Sequence, residues 1–135
     1  MTKISVLLVD DNPTFLHCAT RFLQKRENIV VVGTACGGKG AVALAQDVQP
    51  DVALIDLSMA DLPGLELIPQ LRCAQPKMGI IALTLMDTND YRKAALAAGA
   101  DDFVSKNTMN IDLLPAIQKI TQSAKTKSGE NNGRN

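Results

Sequence analysis

Five short apolar runs mark the chain, and an amphipathic segment follows each. The runs are "KISVLLV" (3–9), "NIVVVGT" (28–34), "DVALI" (51–55), "MGIIALT" (78–84) and "DFV" (102–104). Most are rich in Val and Ile, and none alternates polar with apolar, the pattern of strands buried on both faces. The segments between them repeat at helical spacing: Phe15, Ala19, Phe22 and Leu23; Val42, Leu44 and Ala45; Tyr91, Ala94, Ala95 and Ala98; Ile111, Leu114, Ile117 and Ile120. Gly99 takes the usual stop position of the fourth helix. Pro69 and Pro115 fall in helix-like stretches, so those helices either begin late or kink. Five strand-then-helix units predict an α/β fold, a parallel sheet covered by helices on both faces.

In such a sheet, ligands bind beyond the carboxyl ends of the strands, so the residues that close each strand are the place to look for chemistry. The first strand closes with Asp10 and Asp11, the third with Asp56, the fourth with Thr84, and Lys106 lies just past the fifth. Folded this way, three carboxylates, a hydroxyl and an ammonium converge. Clustered carboxylates hold their protons more tightly unless a cation neutralises them. Mg²⁺ suits such a set, since it binds carboxylates, water and phosphate oxygens. The metal and Lys106 would stabilise charge on a transferring phosphoryl group, with Thr84 offering a hydrogen bond. A carboxylate can itself attack phosphorus, and Asp56, closing a central strand opposite the acidic pair, is the candidate.

A second motif competes for attention. "GTACGGKG" (33–40) imitates the phosphate loop G-x-x-x-x-G-K-[ST], and "DVALIDL" imitates the acidic strand that accompanies it. The imitation fails at Gly40, which has no hydroxyl to hold Mg²⁺. Glycines that free a strand-to-helix turn explain the letters more simply.

Composition narrows the field. The 135 residues suffice for one core. Fourteen basic and fourteen acidic residues cancel, leaving no bulk field to draw nucleic acid or an acidic membrane. Aromatic residues are 3%, too few for base-stacking platforms. Cys18, Cys36 and Cys73 show no metal spacing, and an odd count without a secretion signal fits a reducing cytoplasm. The early carboxylates of "MTKISVLLVDD" argue against a signal peptide or membrane span. His17 falls between apolar helix positions and is expected on the surface; Met78 and Met86 are expected in the core.

With these residues in order, the chain resembles the receiver domain of two-component response regulators, specifically the CheY-like fold of the NarL/FixJ-type branch. The resemblance rests on "LLVDDNP", "PDVALIDLSM", "IIALT", "AAGADDFVSK" and "DLLPAI", from about Lys3 to about Thr121. It implies a doubly wound, flavodoxin-like five-stranded sheet in the order 2-1-3-4-5, with residues 1–122 as the receiver and 123–135 as a polar, disordered tail or linker. It implies that Asp56 is the phosphoacceptor, that Asp11 binds Mg²⁺ directly with Asp10 assisting through water, and that the Ser58 carbonyl is a further metal ligand. Lys106 would pair with the phosphoryl group. Thr84 and Phe103 would be the switch residues, and Phe103, lacking a hydroxyl, would choose between its positions by packing alone. The implied donor is a sensor histidine kinase or a phosphotransfer protein. The implied output face is the fourth helix, fifth strand and fifth helix. Three positions depart from the family pattern: Ala60 replaces a common Pro, Leu85 a small residue, and Asn107 a Pro.

Three functions stay open at this stage: a phosphoaccepting receiver, a P-loop-like nucleotide hydrolase, and a binding module on the same fold. The last is either a receiver that signals without phosphate or a flavin carrier. Asp10 and Asp11 would repel a flavin phosphate. The receiver reading makes the chain a self-assisting phosphoacceptor rather than an enzyme, cytoplasmic, with an output partner or a DNA-binding domain further along, and with homodimerisation open. The tail is consistent with either a single-domain regulator or a piece cut at a linker.

Overall fold

The computed structural model describes residues 3–133, with side chains as far as residue 122. Five strands, β1 (Ile4–Val9), β2 (Ile29–Ala35), β3 (Val52–Asp56), β4 (Gly79–Thr84) and β5 (Asp102–Ser105), alternate with five helices. These are α1 (Pro13–Gln24), α2 (Ala41–Val48), α3 (Gly64–Ala74), α4 (Asn89–Ala98) and α5 (Met109–Gly133), the last preceded by one 3-10 turn, Lys106–Thr108. All strand pairs are parallel, and the order is β2-β1-β3-β4-β5. The expected doubly wound sheet is therefore present, in the expected order.

The continuous apolar runs divide by the two-residue period of a strand. Leu7, Val9, Ala53 and Ile55 face one way, onto Ala41 and Ala45 of α2, Leu67, Ile68 and Leu71 of α3 and Ala95 of α4. Val6, Leu8, Val52 and Leu54 face the other, onto Leu16, Ala19 and Leu23 of α1 and Leu113, Ala116 and Ile117 of α5. Every residue of β3 and β4 is buried, whereas β2, at the sheet edge, is only partly covered. That two-sided burial explains why the runs lack polar alternation.

Helix ends follow local chemistry. The Asn12 side chain accepts from Thr14 N–H and Phe15 N–H, with Pro13 in the first turn, so α1 starts immediately after the acidic pair. The Thr88 side chain caps α4 through Tyr91 N–H, and Gly99, at φ 123°, ends it as expected.

Neither proline begins its helix late. Pro69 lies inside α3 and Pro115 inside α5, both on exposed positions. Each ring removes the hydrogen bond to the carbonyl four residues back, on Leu65 and Ile111. The fifth helix marked by Ile111, Leu114, Ile117 and Ile120 is α5, whose backbone runs from Met109 to Gly133. Residues 134–135 of the expected tail lie outside the described residues.

One close approach fixes the loop that follows β3. A Cβ on Gly64 would stand 2.7 Å from Leu57 Cα and still nearer the Asp56 carbonyl oxygen. The first turn of α3 thus rests directly on the backbone of Asp56 and Leu57. Gly64→Ala is expected to cost about 1–3 kcal/mol through overpacking and to shift the Asp56 and Leu57 amide resonances. Chemical denaturation and amide spectra check both, and an unchanged midpoint would show that this contact does not hold the loop.

Candidate active site: an acidic cup closed by a lysine

The carboxyl ends of β1, β3 and β4 lie side by side, so their closing residues meet. Asp10 is 2% exposed and Asp56 4%, while Asp11 stands one residue further out and is exposed. One oxygen from each of Asp10, Asp11 and Asp56 falls within 4.8 Å of the others. Lys106 enters from the end of β5. Its Nζ donates to Asp10 Oδ2 at 2.6 Å and lies 3.3 Å from Asp56 Oδ1. The Lys106 side chain is 11% exposed, so the ion pair is largely removed from water.

Further contacts fix each acid. Asn12 N–H donates to Asp10 Oδ1 at 2.9 Å, and Ala60 N–H donates to Asp11 Oδ2 at 3.0 Å. The Phe15 ring centroid is 4.1 Å from Lys106 Nζ, a cation–π contact. Burial pushes the Asp56 carboxyl above its ordinary value, and Asp10 beside it adds to the push; Lys106 and the Ser58 backbone amide offset part of it. The net preference of this carboxylate is for more positive charge than Lys106 alone supplies.

The set tests well for a hard divalent cation. All donors are oxygen, three carboxylates can converge on one point, and the buried Asp56 lacks full neutralisation. Mg²⁺, which takes oxygen ligands and keeps part of its water shell, fits this chemistry better than a softer metal.

The remaining expected residues lie as follows. Thr84 is fully buried at the end of β4, one position beyond Leu83, the register partner of Asp56. Its Oγ1 accepts from Met86 N–H at 2.9 Å. Ser58 is exposed in the β3–α3 loop. Phe103 is 3% exposed on β5, paired with Ala82 and packed in the core shared with α3 and α4. His17 is exposed as expected, and Met78 is buried. Met86 is not in the core: it is 50% exposed in the loop after β4, beside Leu85 at 63%. This loop leaves the sheet edge before α4 begins, so neither side chain has a layer to pack against.

Three residues with roles here were missed in the sequence. Phe15 reads only as a helix core position. Arg92 is not singled out; exposed on α4, it has its guanidinium 4.9 Å from the Phe103 ring centroid. In the position the ring takes here, it therefore meets a cation as well as the apolar core. Asp61 reads as a loop acid, yet its carboxylate accepts from Gly38 N–H and Lys39 N–H, both at 3.0 Å. Those are amides of the loop that imitates a phosphate binder. The nucleotide-hydrolase reading fails on this contact, because the chain's own carboxylate occupies the loop. No sequence signal announces either pairing, since the partners are far apart along the chain.

The comparisons with known proteins agree with this architecture. The family model for the response regulator receiver domain matches residues 6–118. The response regulator protein VraR of Staphylococcus aureus is 35% identical over 121 residues, which cover 88% of this chain and 57% of VraR. The chain thus spans a little over half the length of the curated relatives it matches. A LuxR-family two-component response regulator from an Aurantimonas species superposes with a TM-score of 0.85 at 25% identity, covering 90% of this chain and 87% of that one. The receiver domain of the response regulator NarL from Mycobacterium tuberculosis gives 0.80 at 26% identity, covering 93% and 98%. The isolated receiver domain of RcsB from Salmonella enterica serovar Typhimurium, solved in the presence of the phosphomimetic BeF3⁻, gives 0.77 at 26% identity, covering 87% and 90%. Among the described residues no helix is long and apolar enough to cross a membrane.

The raised Asp56 carboxyl has a consequence for stability. The folded state holds this proton to higher pH than the unfolded chain does, so its contribution is full below the ordinary value of 3.8 and is lost as pH rises through the folded value. Without divalent cations, Asp56→Asn is expected to raise the melting temperature at pH 7, with the gain fading as pH falls toward about 4. Melting curves of both proteins across that range check it; a variant less stable at pH 7 would mean that the Lys106 attraction outweighs burial and Asp10. The residues that meet in the cup, the sheet that presents them and the match across residues 6–118 together place this chain in the response regulator receiver domain family.

Proposed function

We propose that this receiver accepts a phosphoryl group on Asp56 from a phosphohistidine of a sensor histidine kinase or a phosphotransfer protein, and that the modified site switches an output surface. The observation that supports it best is the Asp56 carboxylate, buried against Asp10 yet 3.3 Å from the Lys106 ammonium. Such a carboxylate is short of positive charge in its resting state and has one cation already in place.

Asp10, Asp11 and Asp56, with the Ser58 carbonyl, would hold Mg²⁺, which supplies charge neutralisation to the phosphoryl oxygens when bound. An Asp56 oxygen attacks phosphorus, the phosphorus–nitrogen bond of the donor breaks, and the imidazole nitrogen leaves with that electron pair. Lys106, already aimed at Asp56, turns part of its charge toward the new phosphoryl oxygens. Thr84 Oγ1 accepts from Met86 N–H, and its own O–H is left to donate to the phosphoryl group. Phosphate adds charge and three strong acceptors at this edge, and the movement of Thr84 biases the position of Phe103. Leu96 of α4 and Ile111 of α5 are exposed large hydrophobic residues, the kind of surface that a partner, a second copy or a DNA-binding domain of the same protein would cover.

A phosphate-independent receiver is the second reading. It is favoured by Ala60 and by the bulky, 63% exposed Leu85 next to Thr84, two departures at the rim of the cup.

Incubation with Mg²⁺ and acetyl phosphate is expected to add one phosphoryl mass to the peptide containing Asp56, with no addition in Asp56→Asn or without Mg²⁺. No mass gain together with no binding of beryllofluoride would favour the second reading. Arg92 gives a separate expectation for the switch. Its cation–π contact is worth about 0.5–1 kcal/mol. Arg92→Ala is therefore expected to raise the population of the alternative Phe103 ring position about two- to fivefold, read by aromatic NMR. Unchanged ring populations would mean that the guanidinium does not hold the ring.

A further inference from the structure

The glycine turn after β2 binds an anion, and the anion is a side chain of this chain. Asp61 Oδ1 accepts from Gly38 N–H and Oδ2 from Lys39 N–H, both at 3.0 Å, while Oδ1 also accepts from Leu62 N–H at 2.9 Å. Successive amides that converge on one carboxylate form the concave anion seat used elsewhere for phosphate. The lack of side chains on the turn is what permits the approach. A Cβ on Gly37, at φ 124°, would lie 2.8 Å from Asp61 Oδ2, and one on Gly38 would lie 2.8 Å from Leu62 Cβ. The amides of Lys39 and Gly38 hold the Asp61 carboxyl below its ordinary value, so it is an anion at neutral pH.

Asp61 follows Ala60 directly in the β3–α3 loop. Ala60 N–H donates to Asp11 Oδ2 at 3.0 Å, so two successive residues of one loop are tied, the first to the acidic cup and the second to the glycine turn. The family's common proline would restrict the backbone at position 60 through its ring, and it would also lack the N–H that reaches Asp11. Alanine keeps that donor and loses the restriction. An anchor from outside the loop supplies what the ring does not.

We infer that Asp61 is a positioning residue: seated on the Gly38 and Lys39 amides, it holds the β3–α3 loop so that Ala60 N–H orients the Asp11 carboxylate toward a divalent cation. The inference rests on the reading of the cup as a Mg²⁺-dependent phosphoacceptor. It also gives the glycine motif a task, as the receptor for an internal carboxylate rather than for a nucleotide.

The test uses the full chain with Asp61→Ala and Asp61→Asn. Mg²⁺ affinity is read by NMR titration, the Ala60 amide by hydrogen exchange, and Asp56 phosphorylation by mass at limiting and saturating Mg²⁺. Asp61→Ala is expected to bind Mg²⁺ about tenfold more weakly, as losses of groups that orient metal ligands do, and to exchange the Ala60 amide faster. Phosphorylation should slow at limiting Mg²⁺ and recover at saturation. Asp61→Asn, which keeps one acceptor oxygen, should fall between. The melting temperature should hold, because Asp61 is exposed and outside the core. Wild-type Mg²⁺ affinity and Ala60 exchange in Asp61→Ala would overturn the inference. So would a loss of protection spread through β3 and β4, which would make the role a general structural one. Failure of the wild-type chain to take up phosphate sinks the proposed function alone, since affinity and exchange still decide on the anchor.

Discussion

The Lys106 ammonium between Asp10 and Asp56 joins the end of β5 to the ends of β1 and β3, across 96 residues of sequence in the first case. A buried carboxylate pair without this cation would repel itself and take up protons. The lysine also meets the Phe15 ring. Ring, ammonium and acids are thus joined through Lys106 at the carboxyl ends of the strands. Attraction at this depth does not make the site stable in itself, because desolvation opposes it. What it does is fix which way each group points. Burial first, and Asp10 after it, push the Asp56 carboxyl up, and Lys106 offsets only part of that push. A site left short of positive charge is suited to recruit a cation that is present only under some conditions.

The architecture was legible because it depends on periodicity. Runs such as Val6 to Val9 are buried on both faces, and only a strand inside a covered sheet needs that pattern. The sheet rule then turned five strand ends into a short set of residues, and Asp10, Asp11, Asp56 and Lys106 do meet. Illegible were the contacts whose partners lie on different loops or layers. Arg92 and Phe103 belong to α4 and β5, and Asp61 reaches Gly38 across 23 residues. Neither spacing nor composition distinguishes them from any surface arginine or loop aspartate. Met86 failed for a related reason: hydropathy predicts burial only where a neighbouring layer exists to provide it. The prolines were legible only as a choice between a late start and a kink, and the late start is what the structure excludes. Their effect depends on which side of the helix they occupy, and both occupy the wet side.

The glycine turn shows how one backbone shape serves different ends. A row of amides freed of side chains attracts negative charge whatever carries it. In a nucleotide hydrolase the occupant arrives from solution, and a hydroxyl and a metal complete the site. Here Gly40 removes the hydroxyl, and Asp61 supplies the charge from 23 residues away. Because the occupant is covalently part of the chain, its effective concentration at the turn is high. A free phosphate would have to displace a tethered carboxylate to bind. The letters of the motif were therefore a fair guide to the physics of the turn and a poor guide to its ligand.

Placed together, the lysine contacts and the aspartate anchor divide the labour around Asp56. Lys106 and Asp10 set the electrostatics from inside the sheet, where they are buried. Asp61, Ala60 and Gly64 set the geometry from the loop outside it, where the backbone of α3 rests on Asp56 and Leu57. Charge at the site depends on burial and is hard to alter without disturbing the core. Loop geometry depends on a few exposed hydrogen bonds and is easily altered. Sequence change at positions such as Ala60 and Leu85 can therefore tune how readily the cup accepts a cation or a phosphoryl group, while the buried pairing that defines the cup remains in place.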